Sequence, residues 1–283
     1  MKKLLLTFAL GLPVLHSFAQ DEILFKAKMS PNTTYKVVMS TNSASTVDFE
    51  ADQQILDQIA ASGTTLPMEV NAEQSFTTTT KTGVKNTDDE FSFTTTYEDI
   101  YANQSLNGVS TPSQESPLQG AKIYGLISED INLKVDSVTG NLAPELKSAV
   151  IQMTEQLMKN VKYPEKPMKI GDEFKQEVPM TVPMAGASPI QIMIVTTYKL
   201  KDITDNKAYF DLDQELKLQG DMEGGNMEAE GSGTGSSVYD IAHNFITDTS
   251  SDLNMSFSVK TAQLTVKAKA NVKTTQKIEI ISQ

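Results

Sequence analysis

Hydrophobic and polar residues alternate strictly along much of the chain, the period that turns one face of a strand to a core and the other to water. From Ala208 to Leu218 the even positions read Ala208, Phe210, Leu212, Gln214, Leu216 and Leu218. Tyr209, Asp211, Asp213, Glu215 and Lys217 stand between them. Leu253, Met255, Phe257 and Val259 alternate with Asn254, Ser256 and Ser258. Leu264, Val266, Ala268, Ala270, Val272, Ile278 and Ile280 oppose Lys267, Lys269, Lys273 and Lys277. These patterns predict strands of about 15 residues, well beyond the usual length, which must twist and curl. Ile190 to Leu200 reads as another, joined to the Ala208 strand by a turn at Asp205-Asn206.

Earlier segments are more polar and rich in Thr, whose β-branching suits a half-exposed pleated surface. Phe91 to Glu98 pairs with Gln74 to Thr82 through GVKNTDDE. Ile123–Ile127 and Ile131–Val135 form a short hairpin, and Tyr35–Ser40 is a first strand. Two helices interrupt this series. Pro144 to about Asn160 carries Leu146, Val150, Met153 and Leu157 at helical spacing, widened by Ile151 and Met158. Pro144 and Glu145 stand in its first turn, and Lys159 in its last. A weaker helix covers about Asp48–Ala61. Asn103–Gly120 and Val178–Pro189 read as loops.

The expected architecture is α+β. A large curved antiparallel sheet, half-barrel-like, wraps over the Pro144–Asn160 helix in a single domain, residues 20–283. Its concave side is expected to carry Ile192, Ile194, Phe210, Leu212, Leu216 and Phe257.

The first nineteen residues read as a signal peptide. Lys2 and Lys3 precede the apolar stretch Leu4–Leu15, and Ser17 and Ala19 supply small residues before a cleavage point. Their removal would take two lysines and no acid. The 24 basic residues become 22 against 36 acidic ones, and the net charge moves from −12 to −14. An exported chain with no Cys relies on packing and backbone pairing, and thiol chemistry is excluded. Every basic residue is Lys, and there is neither Arg nor Trp, a poor composition for nucleic-acid recognition. No later segment has the length and apolarity of a membrane span.

Candidate chemistry is sparse. His243 is the only histidine after residue 19, so Ser-His-Asp catalysis and ordinary zinc sites lack their parts. Asp211, Asp213 and Glu215 share a strand face at about 6.6 Å spacing. That spacing recurs in any solvated strand, and Lys199, Lys201 or Lys217 can pair with them. Gly224–Gly235 lacks the Lys and the strand-to-helix setting of a nucleotide loop, and reads as a turn and a Gly-rich strand. No catalytic, cofactor or metal residues are assigned, and no enzymatic activity is expected. Methionines adapt to irregular apolar ligands. Met153, Leu157, Met180 and Met184, with Ile192, Ile194, Phe210, Leu212 and Phe257, are therefore candidates for contact with a lipid or other apolar ligand between sheet and helix.

Tyr163–Phe174, YPEKPMKIGDEF, is accounted for as a corner, since Pro164 and Pro167 end the helix and Gly171-Asp172 is a turn signal. The order Pro164, Lys166, Pro167, Lys169, Gly171, Asp172, Phe174 after a single helix, with the SFAQ end of the leader, resembles an uncharacterised secreted or lipoprotein-like family of Bacteroidetes-type bacteria. Phe174 stands where Trp is common there, and the resemblance implies no established activity. Long antiparallel strands around one helix are also similar to the half-barrels of periplasmic lipoprotein carriers. Together these imply an exported protein of the periplasm or cell surface. It would bind an apolar or amphiphilic ligand, or else act through a packed core and a protein partner in the envelope.

Overall fold

A computed structural model describes residues 22–61, 63–111, 115–159, 163–182, 190–219, 226–260 and 263–282. The expected signal peptide lies outside them. In chain order the elements are β1 (Glu22–Ile23), β2 (Thr33–Ala51), α1 (Gln53–Ala61), β3 (Met68–Lys85), β4 (Glu90–Leu106), β5 (Val109–Thr111), β6 (Lys122–Ser128), β7 (Leu133–Thr139) and α2 (Pro144–Lys159). There follow β8 (Met168–Lys169), β9 (Glu173–Val182), β10 (Ile190–Thr204), β11 (Lys207–Gln219), β12 (Asn226–Asp240), β13 (Phe245–Lys260) and β14 (Leu264–Ser282).

The expected α+β class is overturned. Strands take 68% of the described residues, against two helices. One antiparallel sheet runs β7-β6-β4-β3-β2-β14-β13-β12-β11-β10-β9, with β5 beside β4, and no ladder joins β7 to β9. Two meanders meet where the last strand pairs with the first long one, in continuous register from Thr33–Ser282 to Ala51–Leu264. The sequence understates β2 and β4. Polar, Ser- and Thr-rich stretches that read as helix start or loop continue as strand because both neighbours supply hydrogen bonds. The Asp205-Asn206 turn forms as expected, both residues at positive φ between β10 and β11.

The sheet does not wrap over α2. The helix packs on β7, one edge of the sheet, where Val150 is buried with Phe91, Phe93, Ile123, Ile127 and Val135. Glu155 Oε1 accepts the Val135 backbone N–H at 3.2 Å, so the helix also satisfies a donor of this edge strand.

The interior of the other meander is filled by the N-terminal segment. β1 pairs with β8, and Phe25 is fully enclosed by five rings. Centroids of Phe210, Tyr239, Phe174, Tyr163 and Tyr198 lie 4.7, 4.9, 5.0, 5.7 and 6.1 Å from its own. Tyr239 Oη donates to the Lys26 carbonyl at 2.8 Å. The adjacent amides of Lys28 and Met29 then reach in different directions. Lys28 N–H donates to Asn244 O in the β12–β13 turn (2.9 Å), and Met29 N–H to Glu129 O in the β6–β7 turn (3.0 Å).

Adjacent amides tie those two turns to within about 10 Å of each other. In a flat sheet six strand spacings of about 4.8 Å would part them by about 29 Å. The sheet is therefore strongly curled at this end. Its inner face is the one bearing Tyr35, Phe210 and Tyr239, and residues 22–32 strap it shut. Thr82 fastens the far end of the strap, since its hydroxyl accepts Thr33 N–H (2.9 Å) and donates to Ser30 O (2.7 Å).

Burial raises the phenols of Tyr163 and Tyr239 to about 12. Their neutral forms are favoured in the fold, so this contribution is complete below pH 10. It is lost as pH climbs from 10 through 12, because the unfolded chain ionises first. Urea midpoints measured from pH 8 to 11.5 are expected to fall above pH 10, and to fall less in Tyr163→Phe.

Candidate functional site

The registers align one face of seven adjacent strands. Starting from β10, Ile192, Ile194, Thr196, Tyr198 and Leu200 stand beside Leu218, Leu216, Gln214, Leu212 and Phe210 of β11. The row continues through Gly231, Gly233, Gly235 and Ser237 of β12 to Met255, Leu253, Ser251 and Thr249 of β13. It then crosses the even positions of β14, the odd positions of β2 and the even positions of β3 from Met68 to Thr82.

Among these described residues the inner face holds no Asp, Glu, Lys or His. The charges lie on the other face, where Lys201 meets Asp211 (3.0 Å), Lys199 meets Glu173 (3.2 Å) and Lys273 meets Asp252 (3.2 Å). Those surface pairs contribute little to stability. They do account for Asp211 as a member of a solvated ladder, as the strand pattern implies.

The inner face divides along the strands. The closed end, under the strap, is the aromatic cluster around Phe25. A belt of hydroxyls and amides follows: Thr196, Gln214, Ser251, and the pair Thr41 and Thr274 with oxygens 3.4 Å apart. Past the belt the face turns apolar again. Ile192 and Leu216 are buried there, with Leu218, Met227, Ala229, Met255 and Phe257 half-buried around them. Val47, Phe49, Val266 and Ala268 continue this open half, also half-buried.

Glycines 231, 233 and 235 leave three successive inner positions of β12 without side chains. A Cβ on Gly233 would sit 2.6 Å from the Asp252 carbonyl oxygen, so only glycine lets β13 lie this close. The side chains of Leu216 and Met255 close over Gly231, and that of Leu253 over Gly233.

The candidate ligand residues do not form one site. Ile192 and Phe257 share the open apolar half, and Ile194 lies on the same face between that cluster and the belt. Phe210 and Leu212 belong to the closed end, and Phe25 occupies the space over Phe210. Met153 is 49% exposed on α2, across the sheet at the opposite edge from β10. Leu157 lies on α2 and Met180 on β9, their side chains outside the described residues, as is Met184 entirely. The candidate residues that share a region thus lie on the sheet itself and not between sheet and helix. Sequence reading missed the strap, the close approach of β13 at the glycines and the belt. Gln214, which breaks the apolar row Ala208–Leu218, was the legible sign of the belt.

His243 lies in the β12–β13 turn, Nδ1 2.9 Å from Asp240 Oδ2, at the surface. Among the described residues no three His, Asp or Glu side chains are grouped to hold a metal. None of the described helices is long and apolar enough to cross a membrane, which leaves strands out of account.

A protein-family profile described as "Family of unknown function (DUF6263)" matches residues 146–246. The matched span runs from α2 through β9–β12 to the start of β13. No curated protein matches the chain. Among solved structures, "Lipid-protein interactions in lipovitellin" aligns at 9% identity and TM-score 0.43, over 89% of this chain and 26% of that one. The chain thus spans about a quarter of that protein's length. The translocator domain of autotransporter NalP from Neisseria meningitidis aligns at 8% identity and TM-score 0.28, over 87% of this chain and 88% of that one. Pseudomonas aeruginosa OccK5 (OpdH) gives 6% and 0.26, over 87% and 98%. Likenesses this loose carry no argument about function.

Proposed function

We propose that this is a non-enzymatic exported protein of the cell envelope, periplasmic or surface-located, which holds an apolar or amphiphilic ligand on the open half of its inner face. The observation that carries the reading is the uncharged face across seven strands, in a chain where 21% of residues are charged. Closing the core under the strap needs only one end of that face. Beyond the belt Phe49, Met255, Phe257 and Val266 remain half-buried, and a curled sheet half-lined by apolar groups is a receptacle for hydrocarbon. Each buried methylene of such a ligand contributes about 0.8 kcal/mol. Envelope residence follows from the reading of residues 1–19 as a leader.

The protein purified without detergent from its native envelope is expected to carry an amphiphile in native mass spectrometry, and to take up a fluorescent fatty-acid probe after delipidation. Phe257→Asp places a charge on the uncharged face and is expected to weaken probe uptake at least tenfold while leaving the circular dichroism unchanged. An empty protein that also takes up no probe overturns the proposal in favour of a packed structural protein that works through a partner.

A further inference from the structure

We infer that the outer face of the sheet carries a binding trough for an extended neutral glycan, and that asparagines on five adjacent strands read its hydroxyls. The trough lies on the opposite face from the apolar half, so the inference stands apart from the ligand reading above.

A sheet that curls across its strands while each strand twists is pinched near mid-strand, and its outside is hollow there. Three hollows of about 380, 760 and 660 Å³ lie side by side on this outside. The first two share Ala44 and Asn271, and the last two share Ser232 and Asn254, so they form one open trough. Ala44, paired with Asn71 on one side and Asn271 on the other, keeps its floor low. From β4 to β11 the trough crosses six strand spacings, about 29 Å.

Asparagine is depleted in strands, because its side chain competes for local backbone groups. Inside the described strands, the first residue of β12 apart, it occurs at Asn42, Asn71, Asn103, Asn254 and Asn271. All five line the trough, on β2, β3, β4, β13 and β14, while the asparagines at 32, 86, 107, 132, 141, 206 and 244 stand in turns and loops. A face that needed only to be wet would carry Thr, which fills that role elsewhere in this sheet. Asn271 Nδ2 donates to Asp252 Oδ1 (2.5 Å) and to Asn254 Oδ1 (3.0 Å). Among the described residues no hydrogen bond engages the side chains of Asn42, Asn71 or Asn103. Those amides face the trough with donor and acceptor free.

An amide both donates and accepts, as a sugar hydroxyl does. Strands repeat every 4.8 Å or so, close to the rise of one residue in an extended β-linked glycan, so successive strands meet successive sugars. An anionic polymer is disfavoured, since acids outnumber lysines along the walls and the chain carries −12 overall. A peptide pairs through its backbone at a strand edge, and the trough offers side chains alone.

The test is affinity electrophoresis of the full chain in native gels containing a neutral β-glucan, β-mannan or β-xylan, with polygalacturonate as the anionic control. At least one neutral polymer is expected to retard the protein, and polygalacturonate not to. Asn42→Ala with Asn71→Ala removes two net hydrogen bonds and is expected to weaken retention about tenfold to a hundredfold. Asn42→Thr is expected to raise the urea midpoint while weakening retention, because the residue is placed for binding and not for the strand. Retention by no neutral polymer, retention unchanged in the double variant, stronger retention by polygalacturonate, or a urea midpoint that falls in Asn42→Thr each overturns the assignment.

Discussion

Phe25→Ala is expected to destabilise the protein by about 3–5 kcal/mol, the usual cost of emptying a fully packed phenylalanine site. The upper part of that range applies here. Five rings lie with centroids between 4.7 and 6.1 Å of Phe25, and ring pairs of this geometry add to simple burial. The cavity cannot collapse easily, because its walls are four adjacent strands held in register. For a chain of this size, an apparent melting temperature lower by about 10 °C follows.

A second consequence separates the strap from an ordinary core residue. Lys28 and Met29 join the β12–β13 turn to the β6–β7 turn, and Phe25 is the largest side chain anchoring that segment. The chain has no cysteine, so spin labels at Asp130→Cys and Ala242→Cys report one distance without interference. In the parent that distance is expected to be short and narrowly distributed, and in Phe25→Ala longer and broad. A loss under 1 kcal/mol with an unchanged distance distribution would show that the sheet stays curled without the strap.

How much of this was legible follows from the range of each interaction. Alternation is local, so β11, β13 and β14 could be read from their own residues, and the Asp205-Asn206 turn from two. The strap was not legible. Ile23 and Phe25 contact residues more than a hundred positions away, and nothing local marks a short apolar stretch as a core plug. The helix was legible as a helix, but its partner was not. The stripe of Leu146, Val150 and Ile151 shows which side is buried without saying that β7, a sheet edge, receives it. For the candidate site, period-two reasoning placed Phe210 and Phe257 on inner faces correctly. It gave no position along the strand, which decides that Phe210 lies under the strap and Phe257 in the open half.

An open sheet of long strands must also avoid pairing with its own copies, and here the two edges are protected by different means. At β7 the helix covers the strand and Glu155 takes the Val135 donor. At β9 the protection is Pro179. Leu200 N–H donates to Asp172 O at 2.9 Å, so Asp172 opposite Leu200 is a hydrogen-bonded position. Counting by twos along the ladder, the even residues of β9 face β10, while Glu173, Lys175, Glu177, Pro179 and Thr181 turn their backbone groups outward. Proline thus falls where its missing N–H interrupts the outer edge and leaves the inner ladder whole. Pro179→Val restores a donor and a β-branched residue to the middle of that edge, in a strand whose Val178 is already 41% exposed. The variant is expected to keep its circular dichroism yet shift from monomer to dimer or larger assemblies between micromolar and tens of micromolar in sedimentation velocity, whereas the parent does not. Adding Lys or Asp at Glu177's neighbour Val178 in that background should return it to the parent's behaviour by placing charge beside the new edge. If Pro179→Val sediments as the parent does at every concentration, the twist of β9 already blocks the edge, and the proline is not what keeps the sheets apart.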